Sequence, residues 1–285
     1  MKILKKITEC KSVVDNLKKK CFIIGFIPTM GFLHEGHLSL IRMAGEECDR
    51  VFISIFINPI QFGPGEDFEK YPRDMKRDIS LAERGGVDYI FYPTAKEIYG
   101  PDFKTSVEVK ELGSIMCGKY RPSHFAGVTT VVLKLFNIVR PDKAYFGQKD
   151  YQQLVIIKRM VDDLNLDIEI IGGPTMREND GLALSSRNKY LSVKERENAT
   201  ILYECLKMAK DIIKKGEKDL EKIRKVIITD LGKNRFVKKV DYFDFRNPGT
   251  LEHLKRVDKD NKNILVATAV WIGRTRLIDN MIIKV

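Results

Sequence analysis

The sequence lacks long hydrophobic runs and closely paired cysteines, and both absences narrow the class of protein. No stretch approaches the roughly 18 uninterrupted apolar residues of a membrane helix, so we expect no membrane partner. The basic first residues are not followed by an apolar segment with a small-residue cleavage site, which argues against secretion. The five cysteines include no Cys-x-x-Cys pair. This usage is typical of a reduced protein, and we expect a cytoplasmic location.

Common phosphate and zinc motifs are missing as well. The sequence contains no Gly-x-Gly-x-x-Gly string, and at the nearest match to Gly-x-x-x-x-Gly-Lys-Ser/Thr the hydroxyl position is taken by Tyr120. His34, Glu35 and His37 do not have the His-Glu-x-x-His spacing, and no cysteine pair completes a ligand set. We therefore expect no metal ion held by protein side chains alone.

Charge is abundant but spread along the chain. The formal net charge is +11 over 285 residues, of which 44% are hydrophobic. The lysines lie in segments of helical composition without interleaved aromatic residues, so we interpret them as a solvated surface and expect no nucleic-acid partner. The charge by itself would favour one alternative, a non-enzymatic nucleotide- or RNA-binding protein. The length predicts a large domain with a smaller one attached.

Apolar segments of strand length alternate with helical patterns in the first part of the chain. Residues 22–27 form a mostly apolar run that Pro28 stops, and helical spacing begins at Leu38. Residues 51–57 are nearly continuous in β-branched and aromatic residues, as in a strand buried on both faces of a parallel sheet. Further strands are predicted at 89–92, 103–109 and 166–171, a loop at 117–128, and helices at 9–20 after the N-cap Thr8, at 74–83 and at 129–138.

The composition changes after residue 175. Residues 192–218 are helical and charged, and residues 242–245, 265–272 and 277–285 are typical of strands. We therefore predict an α/β domain with a parallel sheet over residues 1–175 and a smaller C-terminal α+β cap domain over residues 176–285.

Two histidines lie where the first strand leads into a helix. His34 and His37 share one face of the first helical turn, where unpaired backbone N–H groups favour an anion. Gly31 and Gly36 permit a ligand to approach the backbone closely. Histidines at this spacing are also common as ordinary surface or core residues, so the spacing alone leaves both interpretations open.

Polar side chains also follow the second predicted strand and precede a later helix. Asn58 and Gln61 lie at the carboxyl end of a parallel strand, where ligands bind in open α/β sheets, although a capping Asn58 and a solvated Gln61 would be the plainer interpretation. Arg121 and His124 lie near a helix start and can steer a carboxylate or phosphate, although both residue types are common in loops.

A further polar cluster begins where a short apolar strand ends at Gly147. Lys149 can pair with a phosphate, Asp150 can accept from ribose hydroxyls, and Gln153 lies one helical turn beyond Lys149. The two hydroxyls and the guanidinium at 185–187 also suit phosphate binding. Both segments are equally compatible with a plain helix start or cap.

Four strings of the sequence resemble motifs of one enzyme family. They are PTMGFLHEGHLSL at 28–40, NPIQFG at 58–63, RPSHFAGV at 121–128 and FGQKDYQQ at 146–153. The chain resembles the pantothenate synthetase (pantoate–β-alanine ligase) family over essentially its whole length, and the first string is similar to the HIGH-type motif of the nucleotidyltransferase superfamily. The resemblance implies a Rossmann-like nucleotide-binding domain, a cap that closes over the site, a mobile loop at 181–188 and a homodimer.

The resemblance also implies a reaction. ATP activates (R)-pantoate as a pantoyl adenylate with release of pyrophosphate, and β-alanine then displaces AMP to give pantothenate, a step of coenzyme A biosynthesis. The implied partners are these small-molecule substrates, with Mg²⁺ bridging the phosphates. A ligase or nucleotidyltransferase of the same architecture that uses another acid or a phosphorylated acceptor is the alternative.

Site residues are implied by the matching motif positions. The implied catalytic residues are His37, His34 and Lys149. Pantoate is assigned to Gln61, Gln153, Arg121 and His124, and β-alanine to Asn58 and Gln61. ATP is assigned to Met30, Gly31, Phe32, Leu33, His34, Glu35, Gly36, His37, Gly147, Gln148, Lys149, Asp150, Met176, Leu184, Ser185, Ser186 and Arg187.

Overall fold

The computed structural model describes residues 1–258 and 262–285, which form two compact units. The first unit comprises Met1–Gln148 and Ile156–Pro174, and the second comprises Lys149–Val155 and Thr175–Val285. Each unit has its own buried apolar core. The domain boundary between residues 175 and 176 stays a prediction.

A parallel sheet forms the centre of the first unit. The strands are β1 (Lys2–Leu4), β2 (Ile24–Thr29), β3 (Arg50–Ile55), β4 (Tyr89–Phe91), β5 (Lys143–Gly147) and β6 (Glu169–Gly173). Their spatial order is β1-β4-β3-β2-β5-β6, and every pairing is parallel. The adjacent residues Phe26 and Ile27 point to opposite faces and are both buried, so the sheet is covered on both sides. This confirms the predicted α/β class.

Helices connect these strands. They are α1 (Ile7–Lys18), α2 (Glu35–Glu47), α3 (Met75–Arg84), α4 (Ala95–Ile98), α5 (Cys117–Tyr120), α6 (His124–Val139) and α7 (Tyr151–Asp163), the last of which begins in the second unit. Ile41 and Ala44 of α2 and Ala82 of α3 pack into the core of the first unit because each lies on the apolar stripe of its helix.

Two predicted element ends are wrong. The N-cap of α1 is Lys6 rather than Thr8, because the Glu9 carboxylate accepts the N–H groups of Lys5 and Lys6 at 3.1 and 3.2 Å and so satisfies the helix start. Pro28 does not stop the strand predicted at residues 22–27. It lies inside β2, which continues to Thr29 in register with β3.

The region around α6 also differs from the prediction. Residues 103–109, all within the described chain, form no strand. Val107 pairs with α6 side chains instead: its N–H donates to the Thr130 hydroxyl at 2.9 Å, and its carbonyl accepts from the Thr129 hydroxyl at 2.5 Å. The predicted loop at 117–128 contains α5, and α6 begins at His124, before the predicted start at residue 129.

The second unit combines helices with an antiparallel sheet, as predicted. Leu206, Ile223 and Phe243 meet in its core. The helix predicted at 192–218 is divided into two and ends before Gly216, whose φ of +99° terminates it. The elements are α8 (Val193–Asn198), α9 (Ile201–Lys214), α10 (Leu220–Leu231), β7 (Val237–Arg246), β8 (Asn263–Ile272) and β9 (Thr275–Lys284), with sheet order β7-β8-β9.

The cysteines are free thiols in the described chain. Cys10, Cys117 and Cys205 are buried, Cys48 is half-buried and Cys21 is exposed. Burial raises the pKa of Cys10 and Cys205 to about 12, so both are protonated at neutral pH. Within residues 1–258 and 262–285, no helix combines the length and apolar character needed to cross a membrane.

Candidate active site

The strand order of the first unit reverses at β2, which pairs with β3 on one side and with β5 on the other. In an open α/β sheet, ligands bind at the carboxyl ends of the strands that flank such a reversal. Residues 30–37 follow the end of β2. Gly147 ends β5, and the side chain of Gln148 beyond it donates to the Gly172 carbonyl at 3.3 Å. The fold therefore brings two of the predicted nucleotide-binding segments to one edge of the sheet.

The segment after β2 turns through two residues in the left-handed region. Gly31 and Phe32 have φ values of +82° and +50°. A Cβ on residue 31 would lie 2.9 Å from Ile55 Cγ2 and 3.0 Å from an Asp78 carboxylate oxygen, so glycine is required there. The Thr29 hydroxyl oxygen accepts the Gly31 N–H at 3.1 Å and holds the start of the turn.

Asp78 of α3, which is not among the residues predicted from the sequence, holds the same turn. Its carboxylate is 2% exposed and accepts the N–H groups of Phe32 and Leu33, both at 2.7 Å. Arg77 donates to the Leu33 carbonyl at 2.8 Å and places its guanidinium over the Phe32 ring. Burial raises the pKa of Asp78, although the two N–H groups and Arg77 oppose that shift. The one sequence signal is helical spacing, since Asp78 shares a face with buried Ala82.

His34 and His37 lie together at the start of α2. His34 is the N-cap residue: its Nδ1 accepts the Gly36 N–H at 3.2 Å, and its own N–H donates to His37 Nδ1 at 3.2 Å. The ring centroids are 4.1 Å apart. Because both Nδ1 atoms accept, each neutral ring carries its hydrogen on Nε2, which becomes a donor. Glu35, between the histidines, is half-exposed and paired with Arg42.

Gln61 lies in a short 3-10 turn after β3 and faces Met30. Its Nε2 donates to Met30 Sδ at 3.0 Å, and its Oε1 accepts from Asn58 Nδ2 at 3.1 Å. Asn58 is 1% exposed, and its amide also donates to the Gly127 carbonyl at 3.0 Å and accepts from the Tyr99 hydroxyl at 2.8 Å. Gln61 is therefore held beside the turn at residues 30–32, with Asn58 bonded on both polar atoms.

Arg121 and His124 contact groups of the protein. Arg121, between α5 and α6, makes two hydrogen bonds to Glu66. His124, the first residue of α6, contacts the Gln61 carbonyl through Nδ1 at 3.0 Å. Direct contact of these two side chains with a substrate stays a prediction.

A cavity of about 240 Å³ in the first unit opens beside the left-handed turn at residues 30–32. Met30, Gly31 and Phe32 line one wall, and Phe56 and Tyr92, the residues that directly follow β3 and β4, also line the cavity. It lies toward β3 and β4, away from the strand-order reversal. Three of the predicted nucleotide-binding residues thus border a small, largely apolar space.

In the second unit, Lys149 and Asp150 directly precede α7. Lys149 Nζ lies 3.9 Å from Asp150 Oδ1, and the Lys149 carbonyl accepts from Asn280 Nδ2 at 2.8 Å. Gln153 lies in the first turn of α7. The contact with Asn280 anchors the backbone of Lys149 to β9.

The segment before residues 185–187 is anchored within the second unit. Arg177 makes two hydrogen bonds to the buried Asp279, at 2.6 and 2.9 Å, and lies over the Tyr203 ring. Gly181 has a φ of +99°, and a Cβ there would lie 2.1 Å from a Tyr203 ring carbon. Arg177 and Asp279 are not among the residues predicted from the sequence, because they are far apart in the chain.

The predicted phosphate-binding residues follow that anchor. The Leu184 N–H donates to the Met176 carbonyl at 2.9 Å, which places these two predicted ATP contacts side by side. Ser185 caps the following 3-10 turn by accepting the Arg187 N–H at 3.3 Å, and Ser186 is buried in that turn. The structure thus brings this predicted set together locally.

Comparison with known sequences finds one family along the whole chain. The family model described as pantoate-beta-alanine ligase matches residues 2–282. The pantothenate synthetase of Caldicellulosiruptor saccharolyticus is 56% identical over 285 residues, which is 100% of both chains. That of Thermotoga petrophila is 52% identical over 284 residues, covering 99% of this chain and 100% of the relative.

Solved structures are similar over the same length. The crystal structure of pantothenate synthetase from Thermus thermophilus has a TM-score of 0.91 at 40% identity and covers 99% of both chains. The pantoate-beta-alanine ligase from Francisella tularensis, complexed with beta-gamma ATP and beta-alanine, has a TM-score of 0.80 at 38% identity and covers 99% of this chain and 97% of its own.

Proposed function

This chain belongs to the pantoate-beta-alanine ligase family, and from that premise we propose how its residues join pantoate to β-alanine with ATP. The reaction gives pantothenate, AMP and pyrophosphate. The observation that carries the proposal is the donor arrangement after β2, where two imidazoles and a left-handed turn lie beside the strand-order reversal.

The chemistry asks for positioning rather than for a protein nucleophile. A carboxylate is a poor acyl donor until one oxygen leaves as part of AMP. In the first step a pantoate carboxylate oxygen attacks the α-phosphorus of ATP and pyrophosphate leaves. In the second, the β-alanine amine attacks the acyl carbon and AMP leaves. The protein therefore acts by orienting the substrates and stabilising the phosphoryl charge.

His34 and His37 stabilise the transferring phosphoryl group. Each ring donates from Nε2, because its Nδ1 already accepts a backbone N–H. The N-terminus of α2 adds the positive end of the helix dipole. Asp78 and Arg77 support these donors by holding the preceding turn in its left-handed conformation.

Gln61 and Gln153 hold pantoate, and Gln61 also receives the amine of β-alanine. The buried position of Gln61 beside Met30 supports this role. Asn58 serves β-alanine by holding the Gln61 carboxamide, since both polar atoms of Asn58 are already bonded within the protein.

The remaining ATP contacts divide into phosphate and nucleoside sets. Lys149 is a mobile positive charge for the phosphates, together with the hydroxyls and guanidinium at 185–187. The residues after β2 and β5 bring the backbone close to the nucleotide, with Met30 and Met176 lining its pocket. The nucleoside and backbone set comprises Met30, Gly31, Phe32, Leu33, Glu35, Gly36, Gly147, Gln148, Asp150, Met176 and Leu184.

Mg²⁺, a homodimer and a cytoplasmic location complete the proposal. Among residues 1–258 and 262–285, no group of three or more His, Cys, Asp or Glu side chains is arranged to hold a metal ion. The chain therefore suits an ion held mainly by ATP phosphate oxygens, where it would neutralise the charge of the leaving pyrophosphate.

The free thiols support a reducing compartment, as expected for the cytoplasm. Sedimentation equilibrium of the purified chain tests the dimer.

The reaction is tested by measuring the AMP and pantothenate formed when the protein is incubated with MgATP, pantoate and β-alanine, and with each of the two acids omitted in turn. We expect multiple turnovers only when both acids are present, because the adenylate is consumed by the amine. AMP release that depends on neither substrate, or ATP binding without any AMP, would contradict the proposal.

The test of the histidine role uses His37→Ala. Adenylate formation should fall by about 100-fold or more, the usual effect of removing one donor to a developing oxyanion. His253→Ala, which removes an exposed histidine paired with Glu221 in the second unit, is the matched control and should retain activity. A folded His37→Ala protein with normal adenylate formation would exclude the role.

A further inference from the structure

Arg121 has its charge satisfied by a carboxylate of the same unit. Its Nε and Nη2 donate to the two carboxylate oxygens of Glu66 at 2.7 and 2.6 Å, and the two side chains are 13% and 24% exposed. Burial raises the pKa of Glu66, but the hydrogen bonds and charge of Arg121 outweigh it and leave that pKa below its ordinary value. At neutral pH this is a two-point ion pair with little access to water.

His124 is directed at the backbone of the turn that carries Gln61. A carbonyl oxygen only accepts, so the 3.0 Å contact between His124 Nδ1 and the Gln61 carbonyl requires the hydrogen on Nδ1. Arg121 Nη2 lies 3.4 Å from the same oxygen. Both residues predicted to hold an anion therefore point donors at one carbonyl group.

The same turn is pressed against α6. A Cβ on Gly127 would lie 2.6 Å from both Gln61 Cα and the Ile60 carbonyl oxygen, so the helix approaches as closely as glycine permits. The Gly127 carbonyl accepts from Asn58, which also binds the Gln61 side chain. The main chain and the carboxamide of Gln61 are thus fixed by separate contacts.

In place of the predicted substrate contacts of Arg121 and His124, we propose that Glu66, Arg121 and His124 are positioning residues that hold Gln61 in place for pantoate, and that none of the three contacts the substrate. The inference rests on the proposed function of Gln61. Glu66 neutralises Arg121 and keeps its guanidinium from drawing the pantoate carboxylate away from ATP. His124 acts through Nδ1, and its Nε2 has no part in the role.

The first test compares two replacements of His124 that keep a donor at different places. In His124→Asn the amide nitrogen occupies the place of Nδ1, whereas in His124→Gln it reaches the place of Nε2. We expect His124→Asn to hold the KM for pantoate within about twofold and His124→Gln to raise it by about tenfold, the effect of losing one hydrogen bond. The opposite order, or no difference between them, would overturn the proposal.

The second test is a double-mutant cycle on kcat/KM for pantoate, with Glu66→Gln, Arg121→Gln and both together. Each single change should lower kcat/KM by about tenfold, and the double variant should be no worse than the weaker single variant, because the pair acts as one unit. The KM for MgATP should stay constant in all three. Arg121→Gln lowering kcat/KM by the same factor with and without Glu66 would show that Arg121 acts independently of Glu66, and would overturn the proposal.

An exposed pair on α7 provides the matched control. Arg159 and Asp163 are joined at 3.3 Å, and both side chains are more than half exposed. The same cycle with Arg159→Gln and Asp163→Asn should leave the pantoate KM unchanged. If the unsubstituted protein makes no pantothenate, the proposed function fails; if it does and either test gives the contrary result, this inference alone fails.

Discussion

A single buried carboxylate controls the loop that carries the predicted catalytic histidines. Asp78 accepts two successive backbone N–H groups at 2.7 Å, from Phe32, the second of two residues with positive φ values, and from Leu33. Such successive N–H groups form a concave anion site, and here the protein supplies the anion itself. The loop is therefore shaped before any substrate binds, which reduces the ordering that binding has to impose.

We expect Asp78→Asn to disturb that loop. The asparagine has one acceptor oxygen where the carboxylate has two, so an NH₂ group would face a backbone N–H. Unfolding free energy should fall by about 2 kcal/mol, and kcat should fall with it. Urea unfolding and steady-state kinetics measure both.

Asp74→Asn on the same helix is the control for that variant. Asp74 is the N-cap of α3, and asparagine caps as well as aspartate, so stability should hold within about 0.5 kcal/mol. Equal losses of unfolding free energy in the two variants would show that Asp78→Asn destabilises helix α3 rather than the loop.

At the scale of an element, α6 is the support for the substrate-binding turn. Its first residue, His124, and its second-turn residue Thr129 both bond to segments outside the helix. Gly127 lies between them at the point of closest approach to Gln61. The helix thus acts through backbone contact as well as through side chains.

Two glycine replacements distinguish the steric effect of that close contact from the higher helix propensity of alanine, since the two act on stability in opposite directions. Gly127→Ala should destabilise the protein by about 2 kcal/mol or more and raise the KM for pantoate, since the new methyl group overlaps backbone atoms. Gly45→Ala in α2, where a Cβ meets no heavy atom within 4 Å, should instead stabilise by about 0.5–1 kcal/mol. Thermal and urea unfolding would measure whether the unfolding free energy of each variant falls or rises. A stabilising Gly127→Ala would contradict the close packing.

The antiparallel sheet of the second unit contains a buried carboxylate, and its contacts predict how the stability of the protein depends on pH. Asp241 on β7 accepts from Trp271 Nε1 at 3.2 Å and Arg276 Nε at 2.8 Å, and Lys239 Nζ lies 3.0 Å away. Burial raises its pKa, but hydrogen bonds from Arg276 and Lys239 outweigh that and leave the pKa below its ordinary value. A lowered folded-state pKa means that the stabilisation is present above the ordinary carboxyl pKa of about 3.9 and lost as pH falls through the folded-state value.

Asp241→Asn should therefore destabilise in a pH-dependent way. Near pH 6 we expect a loss of about 3 kcal/mol, because the Arg276 charge loses the carboxylate that it faces. The difference from the unsubstituted protein should shrink steadily as the pH is lowered below about 4. Urea unfolding at a series of pH values measures it, and a difference that stayed constant down to about pH 2 would contradict the assignment.

At the scale of the whole molecule, several basic residues lie in local ion pairs with acidic residues. Lys143 meets Glu47 at 2.8 Å in the first unit, and Arg196 meets Asp180 at 2.7 Å in the second. That the net charge of +11 serves solubility rather than a nucleic-acid partner stays a prediction.

We accordingly expect no specific affinity for RNA. Fluorescence anisotropy with a labelled RNA of about 20 nucleotides should show only weak binding that disappears between about 50 and 200 mM salt. Turnover of pantoate and β-alanine should be unaffected by the RNA. Saturable binding that persists at the higher salt would reopen the nucleic-acid interpretation.

The sequence by itself determined the features that depend on neighbouring residues. The alternation of strands and helices and the placement of His34 and His37 at a helix start are local, because periodicity and capping are set within a few residues. The family strings added the reaction. Local reasoning failed at 103–109, where β-like composition forms an extended segment bonded to α6 hydroxyls.

Only the tertiary structure decided which distant residues support the site. Asp78 reaches Phe32 and Leu33, and Arg121 meets Glu66, through packing between elements that no local pattern records. Burial then decides how such groups act: a carboxylate inside the protein becomes a backbone acceptor or a counter-ion, whereas the same residue in water would only carry charge. The sequence therefore predicted the reacting groups, and the fold determined which residues hold them.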